Sequence, residues 1–257
     1  MTTSPILVTG GTGTLGRLVV PRLREAGREV RVLSRHAHAA EDGVDFVAVD
    51  LATGGGLDAA LADVDTVLHL AGGPKGDEAA TDNLVAAARR ADVRHLVHIS
   101  VIGVDRVPLA WFRMKLAAER AVTGSGIPCS VLRAAQFHDL ALKVAASMAR
   151  LPVLPAPGGL RWQPVDARDV AARLAELTLS APAGLVPDIA GPRVYGLDDL
   201  TRGYLSACGK HRPTLPLRVP GKVGRAYRAG DNLTLDGALL GTRTWEDFLA
   251  ERVPQAV

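Results

Sequence analysis

The stretch Val8-Thr9-Gly10-Gly11-Thr12-Gly13-Thr14-Leu15-Gly16-Arg17 follows a short apolar run and opens an amphipathic one. It reads as a strand, a glycine turn and a helix N-terminus, the arrangement that grips a dinucleotide. Gly10 permits the tight turn, Gly13 lets the backbone approach a pyrophosphate, and Gly16 lets the helix pack on the strand. The free N–H groups at the helix start face the anion, and Thr12 and Thr14 add hydroxyl donors. The contacts expected from this turn are Gly10, Thr12, Gly13, Thr14, Leu15 and Gly16.

Outward from this turn, apolar runs alternate with helix-period segments. Strands are predicted at Ile6–Thr9, Glu29–Leu33, Asp45–Val49, Thr66–Leu70, Val93–Ser100 and Cys129–Arg133. Helices are predicted at Thr14–Ala26, Gly56–Ala62, Asp77–Arg90, Pro108–Thr123 and Gln136–Arg150. Strands spaced by helices give an α/β fold with a doubly wound parallel sheet, whose ligands sit beyond the carboxyl ends of the strands. After Arg150 the run Leu151-Pro152-Val153-Leu154-Pro155-Ala156-Pro157-Gly158-Gly159 is too rich in proline for a helix or a central strand, and reads as a loop over the cleft. Further helices are expected at Val165–Leu179, with Asp166 or Asp169 as cap, at Asp198–Ala207, and at Thr244–Arg252, where Thr244 and Asp247 form a capping box. The expected organisation is a nucleotide-binding core over residues 1–150 and a small substrate-side lobe over 151–257, packed on the same sheet as one domain.

With 257 residues, 47% of them hydrophobic and 22% charged, the chain can bury a full core. The formal charge of +3 rests on scattered arginines rather than a basic block, which argues for anionic small ligands and against nucleic acid. No apolar run is long enough to cross a bilayer and no basic segment precedes an apolar one at the N-terminus, so a soluble cytoplasmic protein is expected. Cys129 and Cys208 are too few for a zinc site or a disulfide framework and are expected as reduced core thiols. No metal is expected, and the oligomeric state is not legible.

The second predicted strand runs into Ser34-Arg35-His36. An acidic residue there would accept from the adenosine ribose of NAD, whereas a 2′-phosphate needs cations and hydroxyls. Arg35 supplies a bidentate, charge-assisted donor, with Ser34 and Arg17 in support, so NADP(H) is the expected cofactor. Asp50-Leu51 closes the third strand, where a carboxylate either accepts from the adenine amine or caps a helix. Ala71, Gly72 and Gly73 end the fourth strand and leave room for backbone close to the ribose and nicotinamide.

Thr9-Gly10-x-x-Gly13-x-x-Gly16, Ser34-Arg35, His69-Leu70-Ala71-Gly72, Lys115 and Val131-Leu132-Arg133-Ala134-Ala135-Gln136-Phe137 occur in an order that resembles the short-chain dehydrogenase/reductase superfamily. More narrowly, the order is similar to its atypical branch of NmrA-like and NAD(P)H-binding reductases, over the first 150 residues well and over the rest in outline. The resemblance implies a Rossmann core, nicotinamide chemistry, and a serine, a tyrosine and a lysine around the substrate carbonyl. It also implies that Gln136 and Phe137 touch the nicotinamide. In the family pattern the tyrosine lies one helical turn before the lysine, so both point into one cleft. Here Trp111 stands at that position, and an indole N–H delivers no proton to an alkoxide at neutral pH. Ser100 ends the fifth strand, and Val101 and Ile102 occupy the positions beyond it where the family's serine often lies.

Lys115 keeps its own use, since an ammonium can bond both ribose hydroxyls and add positive charge near a developing alkoxide. The candidate catalytic residues are Lys115, Ser100 and His138. His138 has a suitable unperturbed pKa for general-acid work, although a histidine beside Asp139 at a helix start can equally be structural. Trp111 and Phe112 either stack on a flat substrate or form core and wall.

Two functional classes fit these residues. The first is an NADPH-dependent reductase of an aromatic ketone or a quinone that mainly positions its reactants, the proton coming from the substrate, water or His138. The departures at Trp111 and Ile102 resemble the simocyclinone-type angucyclinone ketoreductases, which would suit antibiotic biosynthesis. The second is a non-catalytic NADP-binding redox sensor in the NmrA manner, which the loss of the tyrosine also fits. The proline-rich run after Arg150 and the long C-terminal part point to a covered pocket and favour the reductase.

Overall fold

The computed structural model describes residues 4–39, 43–73 and 76–253. The first half alternates strictly: β1 (Ile6–Thr9), α1 (Gly16–Glu25), β2 (Val30–Ser34), β3 (Val44–Ala48), α2 (Leu57–Ala60), β4 (Thr66–His69) and α3 (Asp77–Arg90). It continues with β5 (His95–Val101), α4 (Ala110–Thr123), β6 (Cys129–Ala134) and α5 (His138–Met148). The remainder is β7 (Leu154–Pro157), β8 (Arg161–Trp162), α6 (Ala167–Leu179), β9 (Gly184–Leu185), β10 (Ile189–Ala190), β11 (Tyr195–Gly196) and α7 (Leu197–Ala207). Last come β12 (Thr214–Leu217), α8 (Gly221–Ala229), β13 (Leu239–Leu240) and α9 (Trp245–Arg252).

The chain divides into two compact units that interleave in sequence. Unit 1 comprises Met1–Ser100, Arg113–Arg133 and Val170–Val186, and unit 2 comprises Val101–Phe112, Ala134–Asp169 and Pro187–Val257. The boundary drawn at residue 150 on composition therefore matches neither unit's edge, because α6 returns to unit 1 after the chain has already entered unit 2.

Unit 1 carries parallel strands in the order β3-β2-β1-β4-β5-β6, with β9 added on β6. The direction of winding reverses between β1 and β4, which pair from Ile6↔Thr66 to Thr9↔His69, and the glycine turn leaves β1 at this switch point. Strands covered on both faces read as continuous apolar runs, which is why Ile6, Leu7, Val8, Val67, Leu68, Leu96 and Val97 are all essentially inaccessible. Leu57, Leu61, Leu84 and Ala88 of α2, α3 and their borders close one face over Leu7, Val67 and Leu96.

Unit 2 is built differently. Ala134, the last residue of β6, pairs with Ile189 of β10, which pairs with β13. β8 and β11 form a short antiparallel ladder. A small core of Ala141, Ala145, Leu200, Trp245, Phe248 and Leu249 joins α5, α7 and α9, and the Trp245 indole donates to the Leu200 carbonyl at 3.1 Å. The capping box at α9 forms as expected: the Thr244 hydroxyl accepts from Asp247 N–H at 3.2 Å while Asp247 accepts from Thr244 N–H at 2.9 Å. Asp166 caps α6 by accepting from Arg168 N–H at 2.8 Å.

The proline-rich run is a correction to the sequence reading. Leu154–Pro157 is a strand, paired in parallel with Thr214–Leu217 as a separate two-stranded ribbon. Leu154 and Gly158 donate to Pro213 and Leu217 carbonyls at 2.8 and 3.0 Å. Pro155 and Pro157 fall on the opposite parity, where an N–H would face away from β12, so the ladder loses nothing at them.

Candidate cofactor and active site

The glycine turn is shaped by contacts that leave no room for side chains. Gly10 has φ +68°, and a Cβ on it would stand 2.7 Å from Ala71 N; a Cβ on Gly16 would stand 2.3 Å from the Gly11 backbone. Helix α1 then begins at Gly16 with Leu15 at the cap position, no side-chain cap and no acidic residue in its first turn. The Gly13, Arg17 and Leu18 N–H groups are taken by the Gly10, Gly13 and Leu15 carbonyls, while the positive end of the helix dipole carries no side-chain cap and suits an anion. Gly13 and Thr14 are exposed and Thr12 half-buried, while Leu15 is buried. Arg17 lies along the loop, donating from Nε to the Thr12 carbonyl at 2.8 Å. These residues fit a nucleotide pyrophosphate.

At the end of β2, Arg35 is exposed. The Ser34 hydroxyl accepts from His36 N–H at 3.2 Å and shares a 2.9 Å hydrogen bond with His38 Nε2. The His38 ring stacks on Phe46 at 4.9 Å, so a second basic side chain is anchored beside Arg35. Sequence reasoning stopped at His36 and missed it. Asp50 is exposed, and its Oδ1 accepts from Ala52 N–H at 3.0 Å, the local turn-capping use. Leu51 is half-buried against the unit 1 core, its carbonyl accepting from Asn83 at 2.9 Å.

The end of β4 holds a hydrogen-bonded chain whose protons can be assigned. The Thr81 hydroxyl donates to the Asp77 carbonyl at 2.7 Å, so the 3.0 Å contact between Thr81 Oγ1 and His69 Nε2 has the ring nitrogen as donor. His69 Nδ1 then accepts from the Thr9 hydroxyl at 2.7 Å, and Thr9 Oγ1 accepts from Ala71 N–H at 3.1 Å. The chain requires a neutral imidazole, and burial, with the Lys115 charge in support, brings the His69 pKa down to about 4. His98 stacks on His69 at 5.1 Å, and burial first, with His69 and the Lys115 charge in support, holds its pKa well below the usual histidine value.

Asp77, the first residue of α3, uses its carboxylate twice. Oδ1 accepts from Gly73 N–H at 3.0 Å and Oδ2 lies 2.9 Å from Lys115 Nζ, with both side chains buried. A Cβ on Gly72 would stand 2.8 Å from that ammonium. The structure thus brings Gly10, Ala71, Gly72, Gly73 and Lys115 together within unit 1. Asp77, His69, Thr9 and Thr81 were missed as a group. The available signal was polar side chains inside otherwise apolar buried strands, at His69, His95 and His98.

Three candidates stand elsewhere than expected. The Ser100 hydroxyl, fully buried, donates to Glu119 at 2.5 Å, and Glu119 is held by Arg133 at 2.6 Å; Ser100 serves this buried pair and offers no donor to a substrate oxygen. His138 is inaccessible, walled by the rings of Trp245 and Phe248 at 5.8 and 5.1 Å. Burial lowers its pKa against the opposing pull of Asp166, so it is a neutral core residue rather than a general acid. Phe112 is 2% exposed and belongs to the core, whereas its edge-on neighbour Trp111 is 38% exposed, one turn before Lys115 in α4. In unit 2, Gln136 and Phe137 are half-buried. Gln136 Oε1 is enclosed without a hydrogen-bond partner among the described residues, and Phe137 precedes α5 and bridges to Val165.

Both cysteines are free and half-buried rather than core residues. Among the described residues no three side chains are grouped to hold a metal, and no helix is long and apolar enough to cross a membrane.

A Rossmann-type sheet with an uncapped glycine turn at its switch point defines a dinucleotide-binding fold, and comparison with known proteins agrees. The chain belongs to the NAD(P)H-binding family, whose model matches residues 10–178, and is an NAD(P)H-dependent oxidoreductase. It is 36% identical over 212 residues to a (4-alkanoyl-5-oxo-2,5-dihydrofuran-3-yl)methyl phosphate reductase of Streptomyces griseus, covering 80% of this chain and 74% of that one. It is 26% identical over 214 residues to quinone oxidoreductase 2 of Escherichia coli, covering 80% and 75%. The fold is that of an NADPH-complexed quinone oxidoreductase from Escherichia coli, with TM-score 0.82, 20% identity and coverage of 96% and 99%.

Proposed function

We propose that the protein reduces a conjugated, electron-poor carbonyl acceptor, a quinone or an aromatic ketone, with NADPH as the electron donor. The observation that carries this reading is the buried Lys115 beside Gly72 on a helix whose preceding turn presents Trp111 in place of a tyrosine. An acceptor that delocalises incoming negative charge makes little demand on an acidic side chain, and a ketone with a neighbouring phenol holds that charge internally. The substrates in the names of the two relatives, a quinone and an alkanoyl-oxo-dihydrofuran, share such conjugation.

When bound, the dihydronicotinamide supplies a hydride equivalent, leaving NADP⁺, and one proton from water or the substrate completes the reduction. The glycine turn and the α1 N-terminus bind the pyrophosphate, and Arg35 with Ser34 receives the 2′-phosphate. Lys115 orients the ribose and contributes positive charge near the developing anion. Trp111 offers an exposed ring to a flat acceptor. Ser100, His138 and Phe112 have no part in the chemistry.

The test is NADPH oxidation followed by absorbance with naphthoquinones and hydroxyaryl ketones. Turnover is expected with at least one class. Arg35→Ala should reduce the preference for NADPH over NADH about tenfold or more, the loss of one charge-assisted contact. Tight NADPH binding without turnover on any acceptor would sink the reductase reading in favour of a redox sensor.

A further inference from the structure

The Tyr–Lys pattern that this helix departs from raises a physical question: what holds Lys115 in place when no tyrosine stands one turn before it. A lysine ammonium is a compact charge on a flexible four-carbon stem, so its position is set by its partner. Here that partner is not on α4. It is Asp77, whose side chain is 5% exposed and which divides its carboxylate between Gly73 N–H at 3.0 Å and Lys115 Nζ at 2.9 Å.

Asp77 is itself fixed from below. Its carbonyl accepts the Thr81 hydroxyl, and the same chain continues through His69 and Thr9 to Ala71 N–H. Ala71 and Asp77, on either side of the Gly72–Gly73 strip, are therefore tied to one neutral imidazole. Gly72 completes the arrangement, because any Cβ there would press on Nζ at 2.8 Å.

We infer that Asp77 is the positioning residue for Lys115: its ion pair fixes the ammonium against the Gly72–Gly73 strip, where the N–H donors of Lys115 would serve the nicotinamide ribose without help from a tyrosine. This rests on the reductase reading for its kinetic consequence but not for its geometric one, and the two are tested separately. An acidic residue at the first position of α3 also suits the helix dipole, so a merely structural role is the alternative to be eliminated.

The geometric test uses the protein without nucleotide. Brief reductive methylation followed by peptide mass spectrometry should find Lys115 protected in the native protein. In Asp77→Asn, which keeps an acceptor for Gly73 but loses the charge, Lys115 should be labelled about tenfold faster, the effect of losing one charge-assisted contact. Labelling at the native rate in a folded Asp77→Asn protein overturns the inference.

The kinetic test compares the same variants in NADPH titrations and naphthoquinone reduction. Asp77→Asn should lower kcat about tenfold with the acceptor KM unchanged, and Asp77→Glu should recover part of the loss. A purely structural role predicts instead no rescue by glutamate and a fall in stability that accounts for the lost activity. If Asp77→Asn does not fold, Gly72→Ala carries the test from the other side. It leaves Asp77 intact and displaces Nζ, so kcat should fall while circular dichroism is native, and an unchanged kcat overturns the inference. Native protein that binds NADPH but transfers hydride to none of the acceptors tested refutes the reductase reading, while the labelling comparison still decides the role of Asp77.

Discussion

His69 of unit 1 and His138 of unit 2 are both enclosed, and burial depresses the pKa of both, yet they do different work. His69 has a threonine hydroxyl on each ring nitrogen and ties Ala71 to Asp77. His138 lies against the rings of Trp245 and Phe248, with Asp166 and the Pro164 backbone nearby, and among the described residues neither of its nitrogens makes a well-aligned hydrogen bond. The difference teaches that nearness in sequence to an acid or to a strand end says little about a histidine. The tertiary partners decide whether it is a joint in a polar chain or a filler in an apolar one.

Several substitutions press on this contrast. The largest effect is expected for His69→Phe, which leaves the buried Thr9 hydroxyl without its acceptor and the buried Thr81 oxygen without its donor. At a cost of roughly 1–3 kcal/mol for each unsatisfied group, a total loss of about 4 kcal/mol should appear in urea unfolding, together with weaker NADPH binding. A loss below about 1 kcal/mol would show that the chain matters no more than the aromatic box.

Acid comes next. A histidine whose native pKa is about 4 against an unfolded value of 6.5 contributes its full stability above pH 6.5 and loses it as pH falls toward 4. The expected decline is about 3 kcal/mol across that window, with His98 acting in the same direction. Unfolding curves at pH 7 and pH 4.5 should converge in His69→Phe relative to the native protein, and parallel losses in both would assign the acid response to other groups.

Gly16→Val tests the turn that supplies the other half of the unit 1 site. A Cβ 2.3 Å from the Gly11 backbone cannot be accommodated without moving the loop, so NADPH affinity measured by fluorescence should fall about 100-fold, or about 2.7 kcal/mol. The smallest effect belongs to His138→Phe. It replaces a neutral ring among rings, and stability and naphthoquinone turnover should stay within about 1 kcal/mol of native. A collapse of turnover with NADPH binding intact would return His138 to the chemistry.

The sequence made the framework of unit 1 readable because its signals are local. Apolar runs bounded by turn residues placed β1 at its observed bounds and the other strands of the first half within two residues, and α3 at Asp77–Arg90 as observed. The glycine spacing led to the switch point for the same reason, since each glycine answers to backbone a few residues away or on the adjoining strand. What was not readable depends on distant partners. Lys115 was picked out by its register, but Asp77 looked like an ordinary helix start. Ser100 seemed available until Glu119 and Arg133 met it from α4 and β6. His138 was read beside Asp139, whereas its real surroundings come from α9. The prolines after Arg150 were counted rather than phased, and the spacing by two of Pro155 and Pro157, which permits an outer strand, went unused.

That phasing reaches beyond the fold of one molecule. β12 is exposed along its whole length and carries Leu215 and Leu217, the kind of edge on which another polypeptide can add itself and seed aggregates. In the Thr214↔Leu154 register Pro216 has the same outward parity on β12 that Pro155 and Pro157 have on β7, so both rims of the ribbon are missing amide hydrogens where an incoming chain would seek them. A sticky margin is thereby made a poor template, and replacing Pro216 with threonine would restore a docking rail for self-association.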